Sequence, residues 1–205
     1  MRFFEQLRGE LRKLFARPRT WMGYGAFFLM EALILFVYKL ERSQNHMRGL
    51  IERNGLEFGT YYSSLTITFT IMLLSMFILG SIYFALVAGD IVAKENEDGN
   101  LRLVFARPIS RFRLLLVKYT AVALYTFSFV FFVGVSGYAM AVLAVGWEGG
   151  LFVMEPKMKV FSAFPDWWEG AGRLALSAAG IGVSMITLSS IAFMFSCFRM
   201  KPAAA

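Results

Sequence analysis

The sequence predicts an all-α integral membrane protein, because its composition is strongly apolar and the apolar residues occur in long stretches. Hydrophobic residues make up 58% of the 205 residues and charged residues only 17%, against about 25% in soluble domains. Four stretches reach the roughly 20 residues that a helix needs to cross the hydrocarbon core. They are Trp21–Tyr38, Leu65–Gly89, Tyr119–Val145 and Leu174–Phe198. Backbone groups in lipid must be paired within the segment, which favours helices over the short alternating strands of a barrel.

The residues before the first span predict an amphipathic helix from Arg2 to Ala16. Its apolar residues follow the i, i+3, i+4, i+7 spacing of one helix face, and they are Phe4, Leu7, Leu11, Leu14 and Phe15. The polar residues assigned to the other face are Arg2, Glu5, Gln6, Arg8, Glu10, Arg12 and Lys13. A basic amphipathic helix before a span is typical of an interfacial anchor, so we assign segment 1–19 to the membrane surface. A docking surface for a partner is the alternative interpretation.

Lys and Arg are unequally distributed between the two sides of the spans. Fourteen of them lie in the N-terminal segment, the loop 90–118 and the C-terminal end, and seven lie in segments 39–64 and 146–173. Cytoplasmic segments of membrane proteins carry the excess of positive charge. We therefore expect the N-terminus and the loop in the cytoplasm, and the other two segments outside, around a single transmembrane domain of residues 1–205.

The two outer segments carry few specific signals. The first predicts a short helix from Gln44 to Arg53. The second contains Trp147, Trp167 and Trp168, and such aromatic residues are typical of the membrane–water interface. A role of this segment in gating or substrate exit is the alternative.

The loop 90–118 is more densely charged than a connection between spans requires. Its charged residues are Asp90, Lys94, Glu95, Glu97, Asp98, Arg102, Arg107, Arg111, Arg113 and Lys118. Gly99-Asn100 indicates a turn, Pro108 ends the short apolar piece that follows, and Ser110 is suited to N-cap the next helix. The pattern predicts a helix, a turn, a short cross-helix, a break and a second helix.

This loop resembles the first cytoplasmic loop of ABC-2 type permeases, the membrane subunits of type V ATP-binding cassette transporters. The family pattern is a Glu, a Gly-Thr pair four residues later, a Pro-x-Ser-Arg element and a Lys at the start of the next span. The matching residues are Glu95, Gly99, Pro108, Ser110, Arg111 and Lys118. Asn100 stands where the family usually has Thr. The amphipathic N-terminal helix and the short loops are compatible with the family along the whole chain.

The resemblance implies a permease subunit, expected to be an exporter, whose coupling helix docks on a separate cytoplasmic ATPase. The residues expected at this docking site are Glu95, Gly99, Leu101, Leu103, Val104, Phe105, Arg107, Pro108, Ser110 and Arg111. ATP and Mg²⁺ would belong to that partner, and this chain would hold no cofactor and catalyse no reaction. A second permease copy, in a homodimer or related heterodimer, is expected in the inner (cytoplasmic) membrane. Family permeases have six spans, so two further spans are expected after Ala205.

Two alternatives to a coupling loop remain open. The first is a solvated loop with ordinary positive-inside charges. The second is a membrane scaffold or sensor that binds a cytoplasmic partner without transport. Nucleic-acid binding is disfavoured despite the net charge of +7, because the basic residues flank spans.

Glu31 lies within the first apolar stretch and is the intramembrane polar candidate. It lies ten residues beyond Trp21, which corresponds to a depth of about 15 Å. Intramembrane acids are candidates for a transport path, and a hydrogen bond to another span is the structural alternative. A lipid-directed enzyme would need a second polar group at that depth. The sequence contains no phosphate-binding loop, catalytic triad or metal-ligand cluster, and the scattered methionines are assigned to the core rather than to metal.

Overall fold

The computed structural model describes residues 3–97, 110–155 and 160–197. Within these ranges the chain is almost entirely helical, and four helices are long and apolar enough to cross a membrane. These candidate spans are Pro18–Lys39, Ser64–Ala93, Phe112–Val145 and Trp167–Ser196. The all-α membrane fold class is therefore confirmed, and each of the four predicted stretches overlaps one of these helices.

The chain divides into two compact units. The described residues of Met1–Gly25, Ile78–Phe129 and Gly182–Ala205 form the first unit. Those of Ala26–Phe77 and Val130–Ile181 form the second unit.

Helix α1 (Phe3–Ala16) is the predicted amphipathic helix, and Pro18 begins helix α2 (Pro18–Lys39). Proline is well accepted as a first helical residue because its missing N–H would have no intrahelical partner there. The prediction for Glu10 was wrong: this residue is buried together with Leu7 and Leu14 instead of lying on the polar face. The cause is the placement of two lysine ammonium groups beside its carboxylate.

The helix of the second span continues beyond Gly89 into the segment that enters the loop, as the sequence predicted. It begins with helix α5 (Ser64–Ser75), continues through a π-helical segment (Met76–Gly80) and ends with helix α6 (Ser81–Glu97). Ser63 caps α5 by accepting a hydrogen bond from the Thr66 amide, which satisfies one of the unpaired N–H groups of the first turn. Asp90, expected at the edge of the loop, is buried in α6.

The third and fourth spans belong to the helices α7 (Arg111–Val145) and α8 (Trp167–Ser196). Helix α7 begins directly after its predicted N-cap Ser110, whereas α8 begins several residues before the predicted boundary, where Asp166 accepts a hydrogen bond from the Glu169 amide. Lys118 therefore lies inside a helix and has a side chain only 1% exposed.

Segments 39–64 and 146–173 contain more structure than the sequence indicated. Helix α3 (Glu41–Arg53) contains the predicted 44–53 helix, and a short helix α4 (Phe58–Tyr61) follows. Strands β1 (Leu151–Glu155) and β2 (Val160–Phe164) form an antiparallel pair in which Leu151 faces Phe164. No sequence pattern had indicated this pair.

The strand pair is held within the second unit by backbone and hydroxyl contacts. The Gly150 amide donates to Thr60 O at 2.8 Å, and the Phe152 amide donates to Thr66 Oγ1 at 2.9 Å. Ser63 Oγ donates to Gly150 O. A Cβ on Gly150 would lie 2.2 Å from Phe164 O, so this close backbone approach requires glycine.

Candidate functional site

Polar contacts connect the two helices that flank the charged loop to other helices of the first unit. Helix α6 leads into the loop and helix α7 leads out of it. The polar contacts of these helices within the first unit include a carboxylate shared by two lysines, an Arg–Asp pair, and a serine that accepts two backbone hydrogen bonds. We define these contacts as the loop-base site.

Glu10 of α1 is the centre of the first set. Lys118 Nζ donates to Glu10 Oε2 at 2.9 Å, and Lys13 Nζ donates to Glu10 Oε1 at 2.7 Å. Lys118 belongs to α7, whereas Lys13 lies one turn along α1 and keeps half of its side chain in solvent. The contact joins α1 to the start of the third span.

The electrostatics of this pair favour the charged form of Glu10. Burial raises the pKa of the Glu10 carboxyl, but the charges and hydrogen bonds of Lys118 and Lys13 lower it by more. The resulting pKa lies below the ordinary value of 4.5. Glu10 is therefore a carboxylate at neutral pH, paired with an ammonium group that has almost no access to water.

Asp90 of α6 is the acceptor in the second set, where it pairs with Arg19 of α2. Asp90 is buried, whereas more than half of the Arg19 side chain is exposed. The turn that carries Arg19 is itself fixed to α1: Thr20 Oγ1 donates to Leu14 O at 2.5 Å, and Trp21 Nε1 donates to Phe15 O at 3.0 Å. These bonds satisfy carbonyls at the C-terminus of α1. The end of α6 is thus tied to both α1 and α2.

Ser196 forms the third set at the last residue of α8. Its buried hydroxyl oxygen accepts hydrogen bonds from the Val92 amide at 3.2 Å and the Ala93 amide at 3.0 Å. Both amides belong to the last turns of α6 before the loop. The fourth span therefore contacts the backbone of the helix that enters the loop.

The predicted docking residues are only partly described. Ser110 is exposed and caps α7 by accepting a hydrogen bond from the Arg113 amide at 3.3 Å, which confirms the predicted N-cap. Glu95 lies in α6 and Arg111 begins α7. The remaining predicted residues lie outside the described residues: Gly99, Leu101, Leu103, Val104, Phe105, Arg107 and Pro108.

Glu31, the intramembrane candidate, lies in the second unit and is fully buried. Ser136 Oγ of α7 contacts Glu31 Oε1 at 3.0 Å and also lies 2.9 Å from Phe132 O. Glu31 Oε2 has no hydrogen-bond partner among the described residues. The same residues contain no group of three His, Cys, Asp or Glu that could hold a metal ion.

Comparison with known proteins places this architecture in a family. The family model described as "ABC-2 family transporter protein" matches residues 6–198. This chain therefore belongs to the ABC-2 transporter family and is a multi-pass membrane protein.

One curated relative is the uncharacterized protein YhcI of Bacillus subtilis (strain 168). The two sequences are 28% identical over 123 residues, which are 58% of this chain and 38% of the relative. The match thus spans little more than a third of the relative's length. No solved structure matches this chain.

Sequence reasoning identified the loop but missed most of the contacts at its base. The signal for Glu10 was present, because it lies three residues after Leu7 and four before Leu14, which places it on the apolar stripe. A similar signal marked Lys118, which is a charged residue between Val117 and the apolar third stretch. No pattern marked Ser196, whose role depends on the packing of α8 against α6.

Proposed function

We propose that this chain is the membrane-spanning subunit of an ATP-binding cassette exporter and that a separate cytoplasmic ATPase drives it through loop 90–118. The observation that carries the proposal is the loop-base site. Both helices that flank the loop are bound by buried polar contacts to other helices of the first unit. A displacement of the loop would therefore move these helices together instead of being absorbed locally.

The path of such a displacement follows the contacts in order. On the outgoing side, α7 would carry α1 with it through Lys118 and Glu10. On the incoming side, α6 would carry α2 through Asp90 and α8 through Ser196. Interactions between buried charges keep a defined geometry because breaking them leaves a desolvated group behind. This is the property that a mechanical linkage between a loop and several spans requires.

The docking surface itself is proposed from the sequence. Leu103, Val104 and Phe105 would form the apolar centre that protein interfaces favour. The rim would be formed by Glu95, Gly99, Leu101, Arg107, Pro108, Ser110 and Arg111. ATP and Mg²⁺ would be bound by the partner, which accounts for the role proposed for this chain as a non-catalytic subunit. A second permease copy and a cytoplasmic-membrane location complete the proposed assembly.

The first test is co-purification of the tagged full-length protein with its ATPase. The Val104→Ala, Phe105→Ala double variant should lose the bound ATPase while remaining in the membrane, because it removes the apolar centre of the interface. The matched control is Phe131→Ala with Val135→Ala, which removes similar apolar volume from exposed positions of α7. Full assembly and transport by the first variant would contradict the proposed docking segment. A protein that never retains an ATPase would favour a scaffold or sensor.

A second variant separates docking from transmission. Ser196→Ala should keep the ATPase bound, yet reduce the stimulation of ATPase activity in the reconstituted complex by about fivefold, the lower range of allosteric coupling. Ser196→Thr retains the hydroxyl and should restore the stimulation. Normal stimulation in Ser196→Ala would remove the fourth span from the proposed path.

A further inference from the structure

The contacts of α1 fix its rotation about its own axis. At about 100° per residue, the buried residues Leu7, Glu10 and Leu14 fall within an arc of about 60°. The Glu10–Lys118 ion pair lies in this arc and orients it toward α7. We call this arc the docked face of α1.

An apolar flank of the same helix remains exposed. Phe4 is 78% exposed, and it projects about 90° away from the centre of the docked face. Leu11 and Phe15 project in the same direction and are half-buried. The apolar stripe of α1 is therefore wider than the surface that packs on the protein, and its uncovered part has the character of a lipid contact.

Arg8 and Arg12 lie on the side of α1 that faces away from the protein. They project about 130° and 170° from the centre of the docked face, and both are exposed. Residues four apart on a helix have Cβ atoms about 6 Å apart. Two guanidinium groups at that spacing, each with a fork of N–H donors, suit the oxygens of one phosphate or of two adjacent phosphates.

Neighbouring aromatic residues mark the level of α1. Trp21, which is 64% exposed, is hydrogen-bonded to Phe15 O at the end of α1. Phe112, which is 76% exposed, precedes the Glu10 partner Lys118 by six residues, or about 9 Å along α7. Tryptophan is enriched at the membrane–water interface, and an exposed phenylalanine is compatible with lipid contact. We therefore expect the arginines of α1 at the level of lipid headgroups.

We propose that the outer surface of α1 is a binding site for anionic lipid, with Phe4 in the acyl boundary and Arg8 and Arg12 on the headgroup phosphate. Glu10 of the docked face is paired with Lys118, and the outward side carries Arg8 and Arg12 together with the exposed Glu5, which leaves a net positive charge on these three residues. Charge complementarity selects an anionic headgroup over a zwitterionic one. The lipid would hold α1 against the spans from the side opposite to Lys118.

Native mass spectrometry of the detergent-solubilised full chain, titrated with phosphatidylglycerol or phosphatidylcholine, tests this site. The wild-type protein should bind phosphatidylglycerol more tightly, and Arg8→Gln with Arg12→Gln should weaken that binding about tenfold or more. The control Arg42→Gln with Arg53→Gln removes the same charge from exposed positions of α3. Arg8→Lys with Arg12→Lys should retain part of the preference, and thermal unfolding without added lipid verifies that each variant folds.

Three outcomes would overturn the proposal. Equal binding of both lipids by the wild type would indicate an apolar contact without headgroup recognition. An equal loss in the α3 control would indicate a general effect of net charge. Displacement of phosphatidylglycerol by millimolar inorganic phosphate would indicate a site for a free anion.

Discussion

Glu10 and Glu31 are both buried glutamates, yet the structure surrounds them with different partners. Glu10 accepts hydrogen bonds from two lysines, one of which belongs to another helix. Glu31 contacts a serine hydroxyl, and its second oxygen has no hydrogen-bond partner in the described part of the chain. A charge-paired carboxylate fixes geometry, because each member of the pair is costly to bury alone. A single hydroxyl contact provides one ordinary hydrogen bond.

The comparison extends to the two units in which these residues lie. The first unit is held at the loop base by ion pairs and by the Ser196 hydroxyl. In the described residues of the second unit the ion pairs, Arg48 with Glu52 and Arg173 with Glu169, each lie within one helix, and helices are joined by hydrogen bonds such as Tyr38 Oη to Thr70 Oγ1 at 3.1 Å. This difference indicates that the unit containing the loop is the one whose helices are coupled by charge.

The largest effect is expected from removal of the Glu10 carboxylate. Glu10→Ala should destabilise the protein by about 3–5 kcal/mol, because it takes the carboxylate away from the buried Lys118 ammonium. Denaturant or thermal unfolding in detergent measures this change. Glu5→Ala, an exposed position in the first turn of α1, should cost less than about 1 kcal/mol.

The double variant Glu10→Leu, Lys118→Met sharpens the same test. Replacement of a buried ion pair by apolar residues of similar volume is often neutral or stabilising, so the double variant should recover most of the stability lost in Glu10→Ala. The double variant should still impair coupling between the ATPase and the spans if the charge pair transmits movement of the loop. If the stability losses of Glu10→Leu and Lys118→Met, measured separately, add up to the loss of the double variant, a direct interaction between Glu10 and Lys118 is contradicted.

The expected effect at Glu31 is smaller. The Ser136 hydroxyl has one hydrogen and three acceptors within reach, Glu31 Oε1 at 3.0 Å, Phe132 O at 2.9 Å and Val133 O at 3.4 Å. In Glu31→Gln the amide can donate to Ser136 Oγ, which leaves the hydroxyl hydrogen for Phe132 O. The change in unfolding free energy should therefore stay within about 1 kcal/mol. The same unfolding assay measures it, with Glu31→Leu as the variant that removes the contact.

Transport by the Glu31→Gln protein distinguishes the two interpretations of this residue. A structural contact predicts that the variant transports normally, since the hydrogen bond is preserved. A large loss of transport in a protein of normal stability would instead place an ionisable group at this position in the transport path.

The sequence predicted the helical membrane fold because long apolar stretches leave few alternatives in lipid. It located the ends of the spans less well, since Asp90 and Lys118 were counted as loop residues and their burial depends on Arg19 and Glu10. Such pairings join residues 71 and 108 positions apart in the chain. Local periodicity cannot report a partner at that separation. The strand pair was missed for a similar reason, because its position depends on hydrogen bonds to Thr60 and Thr66.

The smallest expected effect is the change with pH, near neutrality, in the contribution of Glu10 to the free energy of unfolding. The pKa of the folded carboxyl is lowered from 4.5, so its stabilisation is complete above the unfolded pKa and is lost as the pH falls through the folded value. The difference in unfolding free energy between wild type and Glu10→Gln should be constant from about pH 5 to about pH 8 and should shrink below about pH 4.5. Thermal unfolding of both proteins across this range measures it. If this difference changed between about pH 6 and about pH 8, a carboxyl would be titrating near neutrality. Glu10 would then not be a lysine-paired carboxylate at neutral pH.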